Sequence, residues 1–224
     1  MYSHSKLRFI HKSEQNRKTF EMIKIIEDSG QDVMHIILTT NSLCGNAQFM
    51  HRVSNIKSGT YTVAVISSKK VIKPGNNANG CTTVHYKDMK SFGWSIMNHK
   101  SKLPKVVLLC CNSKQLDAVR DLSNRIPDIN SDLNLNIYID EFHKNCPNKT
   151  KRLIEDIIDL DHVSCIYGSS ATFAPILEQQ GLFQTVDLIT PSNRETENYV
   201  GIDDLNIKIV ENVSKSKKAT KLLD

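Results

Sequence analysis

Two adjacent carboxylates, Asp140 and Glu141, close the apolar run Asn136-Ile137-Tyr138-Ile139. An acid at a strand end is well placed to hold a Mg²⁺ ion that carries phosphates. A second acid beside it can orient or deprotonate an attacking water. The same pair also occurs as a plain solvated turn, so it needs companions before it means anything. One companion lies downstream, where Val163–Gly168 is a second apolar run that leads into the small, hydroxyl-rich Ser170, Ala171 and Thr172. Two further residues invite chemistry and also have ordinary readings. Trp94 offers a stacking surface for a base, although a lone Trp is expected in the core. Cys81 and His85 have half of a metal-binding spacing, without the second pair that a zinc site needs.

The elements that must position the acids follow from periodicity. Apolar runs rich in β-branched residues are predicted as strands at 7–11, 35–39, 61–67, 105–111, 135–140, 163–168 and 184–189. Helical spacing is predicted over 19–27, 47–53, 114–124 and 149–160, with Ser29-Gly30 ending the first. The stretches 73–80 and 127–134 carry strong turn chemistry and are predicted as loops. Strands alternating with helices imply an α/β fold whose mostly parallel sheet is covered on both faces. Such sheets bind ligands at the carboxyl ends of their strands, which is where Asp140 and Glu141 fall.

Beyond Pro191 the pattern changes. Residues 192–199 are polar, 205–210 could form one more strand, and 214–221 is Lys-rich and suits a frayed tail or linker. The expected division is therefore a domain over 1–191 and an extension over 192–224.

A chain of 224 residues with 39% hydrophobic and 24% charged residues is expected to be globular. Its net charge of +5 permits contact with a phosphate backbone without demanding it. The six cysteines include no CxxC pair, and Cys110-Cys111 sits inside an apolar run, as in a reducing compartment. The N-terminus does not read as a secretory leader, and no apolar run approaches the roughly 20 residues of a membrane span. An intracellular protein without a membrane anchor is expected.

The acids and the hydroxyl-rich strand end, taken in order, resemble motifs II and III of superfamily 2 helicases of the DExH type, with Asp140-Glu141-Phe142-His143 as the box and Ser170-Ala171-Thr172 as motif III. The spacing of one helix and one strand between them matches that family. The resemblance covers roughly residues 6–190. It implies a RecA-like P-loop NTPase fold, a three-layer sandwich that binds ATP and Mg²⁺ and acts on DNA or RNA. It also implies a phosphate-binding loop after the first strand, of the form GxxxxGK[ST]. The segment from Lys12 to Thr19 occupies that place. Gln15, Asn16, Arg17 and Lys18 would then surround the phosphates at a helix N-terminus, and Thr19 would join Asp140 on Mg²⁺. Lys12 and Arg17 stand where the family has glycines.

Glu141 would activate water, and His143 would couple the nucleotide site to motif III. The family's nucleic-acid contacts map onto Thr39, Thr40, Asn41, Gln48 and Arg52, whose hydroxyls, amides and guanidinium suit phosphate oxygens. Asn112 and Gln115 match a further nucleic-acid-facing loop more loosely. The segment from Tyr199 to Asp204 resembles one found in helicase-like proteins of large DNA viruses. The family works with two RecA-like domains, the second supplying arginines to the γ-phosphate. A chain of this length fits one, so a second RecA-like domain or subunit is implied. Two other readings stay open: a catalytically decayed binding module on the same fold, and an unrelated α/β enzyme with metal chemistry at its acidic strand end.

Overall fold

The computed structural model describes residues 6–11, 18–40, 49–54, 56, 60–68, 75–76, 80–98, 103–142, 148–170 and 187–189. Contacts divide the chain into a unit over Met1–Pro191 and a unit over Ser192–Asp224, and the latter lies outside the described residues.

Among the described residues nine strands form one sheet: β1 (Leu7–His11), β2 (Val33–Thr39), β3 (Tyr61–Ile66), β4 (Gly75–Asn76), β5 (Cys81–Tyr86), β6 (Val106–Cys110), β7 (Asn134–Ile139), β8 (Val163–Ser170) and β9 (Asp187–Ile189). Their spatial order is β4-β5-β3-β6-β2-β7-β8-β1-β9. Every neighbouring pair is parallel except β4 with β5. Eight strands thus end at the same edge. The helices are α1 (Lys18–Asp28), α2 (Met89–Asn98), α3 (Ser113–Ser123), α4 (Ile126–Ile129) and α5 (Asn148–Ile158), with residues 49–53 forming a further helical turn.

Successive side chains of a strand point to opposite faces, and the core divides accordingly. On one face Met34, Ile36, Leu38, Val107 and Leu109 meet α2, α3, α4 and α5. On the other, Ile37, Leu108, Tyr138 and Tyr167 meet Met22 and Ile26 of α1 and Phe49, Met50 and Val53. Burial on both sides explains why these strands read as near-continuous apolar runs. A register shift where β7 pairs with β8, between Leu135 and Asn136, places Val163 and Ile166 on the same face. This is the expected three-layer α/β sandwich around a mostly parallel sheet. The strand that precedes the phosphate-loop segment (β1) is separated from the acid-bearing strand (β7) by the strand that leads to motif III (β8).

The sequence expectations miss four elements, the first being β4, which lies inside the expected loop at 73–80. Strand β5 and helix α2 fall in a stretch given no element. The expected loop at 127–134 begins inside α4, whose Pro127 sits in the first turn, where a proline costs nothing. Trp94 is also not in the core. Helix α2 buries Met89, Phe92 and Ile96 and leaves Trp94 on its outer face at 68% exposure.

Candidate nucleotide site

Helix α1 leaves β1 for one face of the sheet, while α5 leaves β7 for the other. Diverging connections open a crevice at the carboxyl ends between them. The carboxyl ends of β1, β8 and β7 lie side by side, and of the groups anticipated from the sequence Lys18, Thr19, Asp140 and Glu141 stand at or beside them.

Lys18 opens α1, and its ammonium donates to Glu141 Oε1 at 3.1 Å across 123 residues of chain. The Lys18 side chain is 4% exposed and that of Glu141 19%. Burying an ammonium is costly unless it is paired, so this pair locks the start of α1 to the end of β7. Ser169, one strand over, donates its hydroxyl to Asp140 Oδ1 at 2.9 Å. Burial, the largest influence, raises the Asp140 pKa. The Ser169 hydrogen bond and the Lys18 charge oppose that rise, and the neighbouring Glu141 charge adds to it. The Asp140 amide donates to Leu38 O at 2.9 Å, which ties the acid turn to β2.

Glu141 adopts φ 48°, the left-handed region that side chains other than glycine seldom enter. Holding it there costs on the order of 1 kcal/mol, and such strain gathers at functional sites. What holds it is visible on the other side of the turn. Phe142 is buried against Phe9 of β1, edge to face, with ring centroids 5.0 Å apart. Gly168 of β8 lies opposite Phe9 in one register and Ile139 in the other. A Cβ on Gly168 would come within 2.7 Å of Phe9 Cδ1 and 3.0 Å of Phe142 Cδ2, so the bare backbone there is what lets the two rings meet.

Thr19 follows Lys18 in the first turn of α1 and accepts a hydrogen bond from Arg52 Nη1 at 2.7 Å. The structure thus puts Arg52 at the start of α1, although the family pattern assigns it to nucleic acid. Thr39 also differs from its expected role. It is fully buried, with its hydroxyl turned toward Leu109 O and Thr40 O rather than outward. Thr40 is half-buried at the strand end. Asn112 caps α3 by accepting from the Gln115 amide at 3.0 Å. Ser170 ends β8, fully buried. Gln15, Asn16, Arg17, Asn41, Gln48, His143, Ala171 and Thr172 lie outside the described residues.

The sequence reading missed Ser169, which it passed over for Ser170. The available signal was the β8 alternation, since neighbouring residues on a strand point to opposite faces. The donor set suits Mg²⁺ with phosphates: the Asp140 carboxylate and Thr19 hydroxyl are hard oxygen ligands, and Mg²⁺ commonly takes one or two protein ligands with phosphate and water completing its shell. Lys18 and the N-terminus of α1 supply the positive end that phosphates require.

No family model matches the chain, and no curated protein sequence matches it. Among solved structures it is similar to the crystal structure of the Pyrococcus furiosus Hef helicase domain, with a TM-score of 0.30 and 10% identity, over 78% of this chain. The chain spans 39% of the length of that domain. Among the described residues, no helix is long and apolar enough to cross a membrane.

Proposed function

We propose that this chain is the first RecA-like half of an ATP-dependent helicase or translocase acting on DNA or RNA, with the resemblance around Tyr199–Asp204 pointing to the kind found in large DNA viruses. The observation that carries the reading is the bond from Lys18 to Glu141, which joins the expected phosphate-binding lysine to the expected water-activating acid. In this reading Lys18 exchanges Glu141 for the phosphates when nucleotide arrives. That exchange frees the Glu141 carboxylate to accept a proton from water. Asp140 and Thr19 would hold Mg²⁺, and the metal would supply charge neutralisation at the phosphoryl oxygens. Ser169 fixes the Asp140 rotamer. The γ-phosphate arginine comes from a second RecA-like domain or subunit, so the isolated chain binds nucleotide and turns it over slowly.

The test is Mg-ATP binding by calorimetry or a fluorescent analogue, for wild type beside Lys18→Ala and Asp140→Ala. Each variant is expected to bind about tenfold more weakly or worse, the worth of one charge-assisted contact. Wild-type protein that fails to bind millimolar ATP would overturn the reading. It would favour the decayed, non-catalytic module to which Lys12 and Arg17, standing at the glycine positions, also point.

A further inference from the structure

We infer that Arg52 is a phosphate ligand of this nucleotide site, and not a contact to a nucleic-acid backbone; the inference rests on the nucleotide-binding reading above. Arg52 lies on the helical residues 49–53, whose Phe49, Met50 and Val53 are buried in the same cluster as Met22 and Ile26 of α1. That packing, and not the side chain's own reach, brings the guanidinium to the start of α1. There it donates 2.7 Å to the Thr19 hydroxyl.

Charge decides what this arrangement suits. Lys18 is matched by Glu141. Among the described residues no carboxylate is paired with Arg52, whose partner is a neutral hydroxyl. A guanidinium keeps its charge at any working pH, and it presents five donors in a fork that fits two phosphate oxygens. One of those donors is engaged on Thr19. The rest stand beside a helix N-terminus, where the macrodipole already favours an anion. The phosphate-binding loop of this chain has exchanged two glycines for Lys12 and Arg17, and a guanidinium beside Thr19 supplies donors that a glycine-rich backbone would otherwise provide.

A second consequence follows from the atom that Arg52 occupies. Thr19 Oγ1 is also the hydroxyl that Mg²⁺ takes. Nη1 of Arg52 stands 2.7 Å from that oxygen, so a metal ion held by the same hydroxyl would be repelled by the guanidinium. Phosphate placed between them removes the conflict. Arg52 would turn from Thr19 onto the phosphate oxygens, leaving the hydroxyl free to hold the metal. Arg52 and Mg²⁺ therefore share one task, and removing the arginine makes the metal more necessary.

The experiment titrates the full chain with adenosine, AMP, ADP and ATP, with Mg²⁺ or with EDTA, for wild type, Arg52→Ala, Arg52→Lys and Lys18→Ala. A labelled single-stranded oligonucleotide is titrated alongside, and thermal melts confirm folding. Arg52→Ala is expected to weaken ATP about tenfold or more, with a smaller loss for AMP and none for adenosine. Its ratio of affinity with and without Mg²⁺ should exceed that of wild type. Arg52→Lys should recover part of the loss, and oligonucleotide affinity should stay within twofold or so, as expected for a residue off that surface. Wild-type-like ATP binding by Arg52→Ala, or a loss confined to the oligonucleotide, overturns the inference. Loss of ATP binding by Lys18→Ala in that same series keeps the nucleotide site itself standing. Wild-type protein that binds no ATP fails both.

Discussion

Replacing Gly168 with alanine tests how the acid turn is held. The added methyl would lie 2.7 Å from Phe9 Cδ1, 3.0 Å from Phe142 Cδ2, and nearer still to Phe9 Cε1. Both rings are buried and pack edge to face, so neither can swing into solvent. Overpacking of this kind costs about 1–3 kcal/mol, against about 0.5–1 kcal/mol regained from the restricted unfolded chain. The net expectation is a loss of roughly 1–2 kcal/mol, which lowers the melting temperature of a domain this size by about 2–8 °C. Because Phe142 follows Asp140 and Glu141 directly, the same shift should displace the Asp140 carboxylate and weaken Mg-ATP binding. Denaturant titration with a parallel nucleotide titration reads both effects. Gly93→Ala serves as the contrast, since a Cβ there meets nothing within 4 Å and sits inside α2, where alanine is worth about 1 kcal/mol over glycine. Equal stabilisation by both substitutions would refute the packing argument.

Two further outcomes are expected. His35 is buried between Ser29 Oγ at 2.7 Å and Tyr138 Oη at 3.0 Å. Burial, helped by the Lys105 charge, pushes its pKa from 6.5 down to about 3. The unfolded chain therefore binds a proton that the fold refuses, and stability falls as pH drops below about 6, by about 1.4 kcal/mol per unit until pH nears 3. Comparing denaturation midpoints of wild type and His35→Gln at pH 7, 6, 5 and 4 isolates that slope, and parallel pH profiles would disprove it. Trp94, as the single tryptophan and largely exposed, should fluoresce like indole in water and be quenched freely by acrylamide; a blue-shifted, protected emission would contradict its place on the outer face of α2.

Where the sequence reading succeeded and failed has physical causes. Strands β2, β3, β6 and β7 were legible because burial on both faces demands near-continuous apolar runs. Strand β5 was not. It stands near the sheet margin beside the two-residue β4, and its Thr82, Val84, His85 and Tyr86 are only half-buried, so the run is mixed in character. Helix α2 did carry a signal, since Met89, Phe92 and Ile96 recur at helical spacing. At the site, the residue types at the strand ends were readable, but their partners were not. Nothing local tells that Lys18 meets Glu141, or that Arg52 meets Thr19, because tertiary packing alone sets those distances.

The position of β1 in the sheet sets an order of events in folding. Its neighbours are β8 and β9, so Leu7 waits for Ile166 and Arg8 for Asp187. A ribosome adding about 5–20 residues per second takes roughly 10–30 s to make the intervening chain. During that interval β1 lacks both of its neighbours and has an open edge on either side, a ready template for foreign strands. The carboxyl ends of β1, β8 and β7 therefore come together only after β8 has been made. Any ligand that steadies the crevice then acts on the slowest and most distant contacts of the fold.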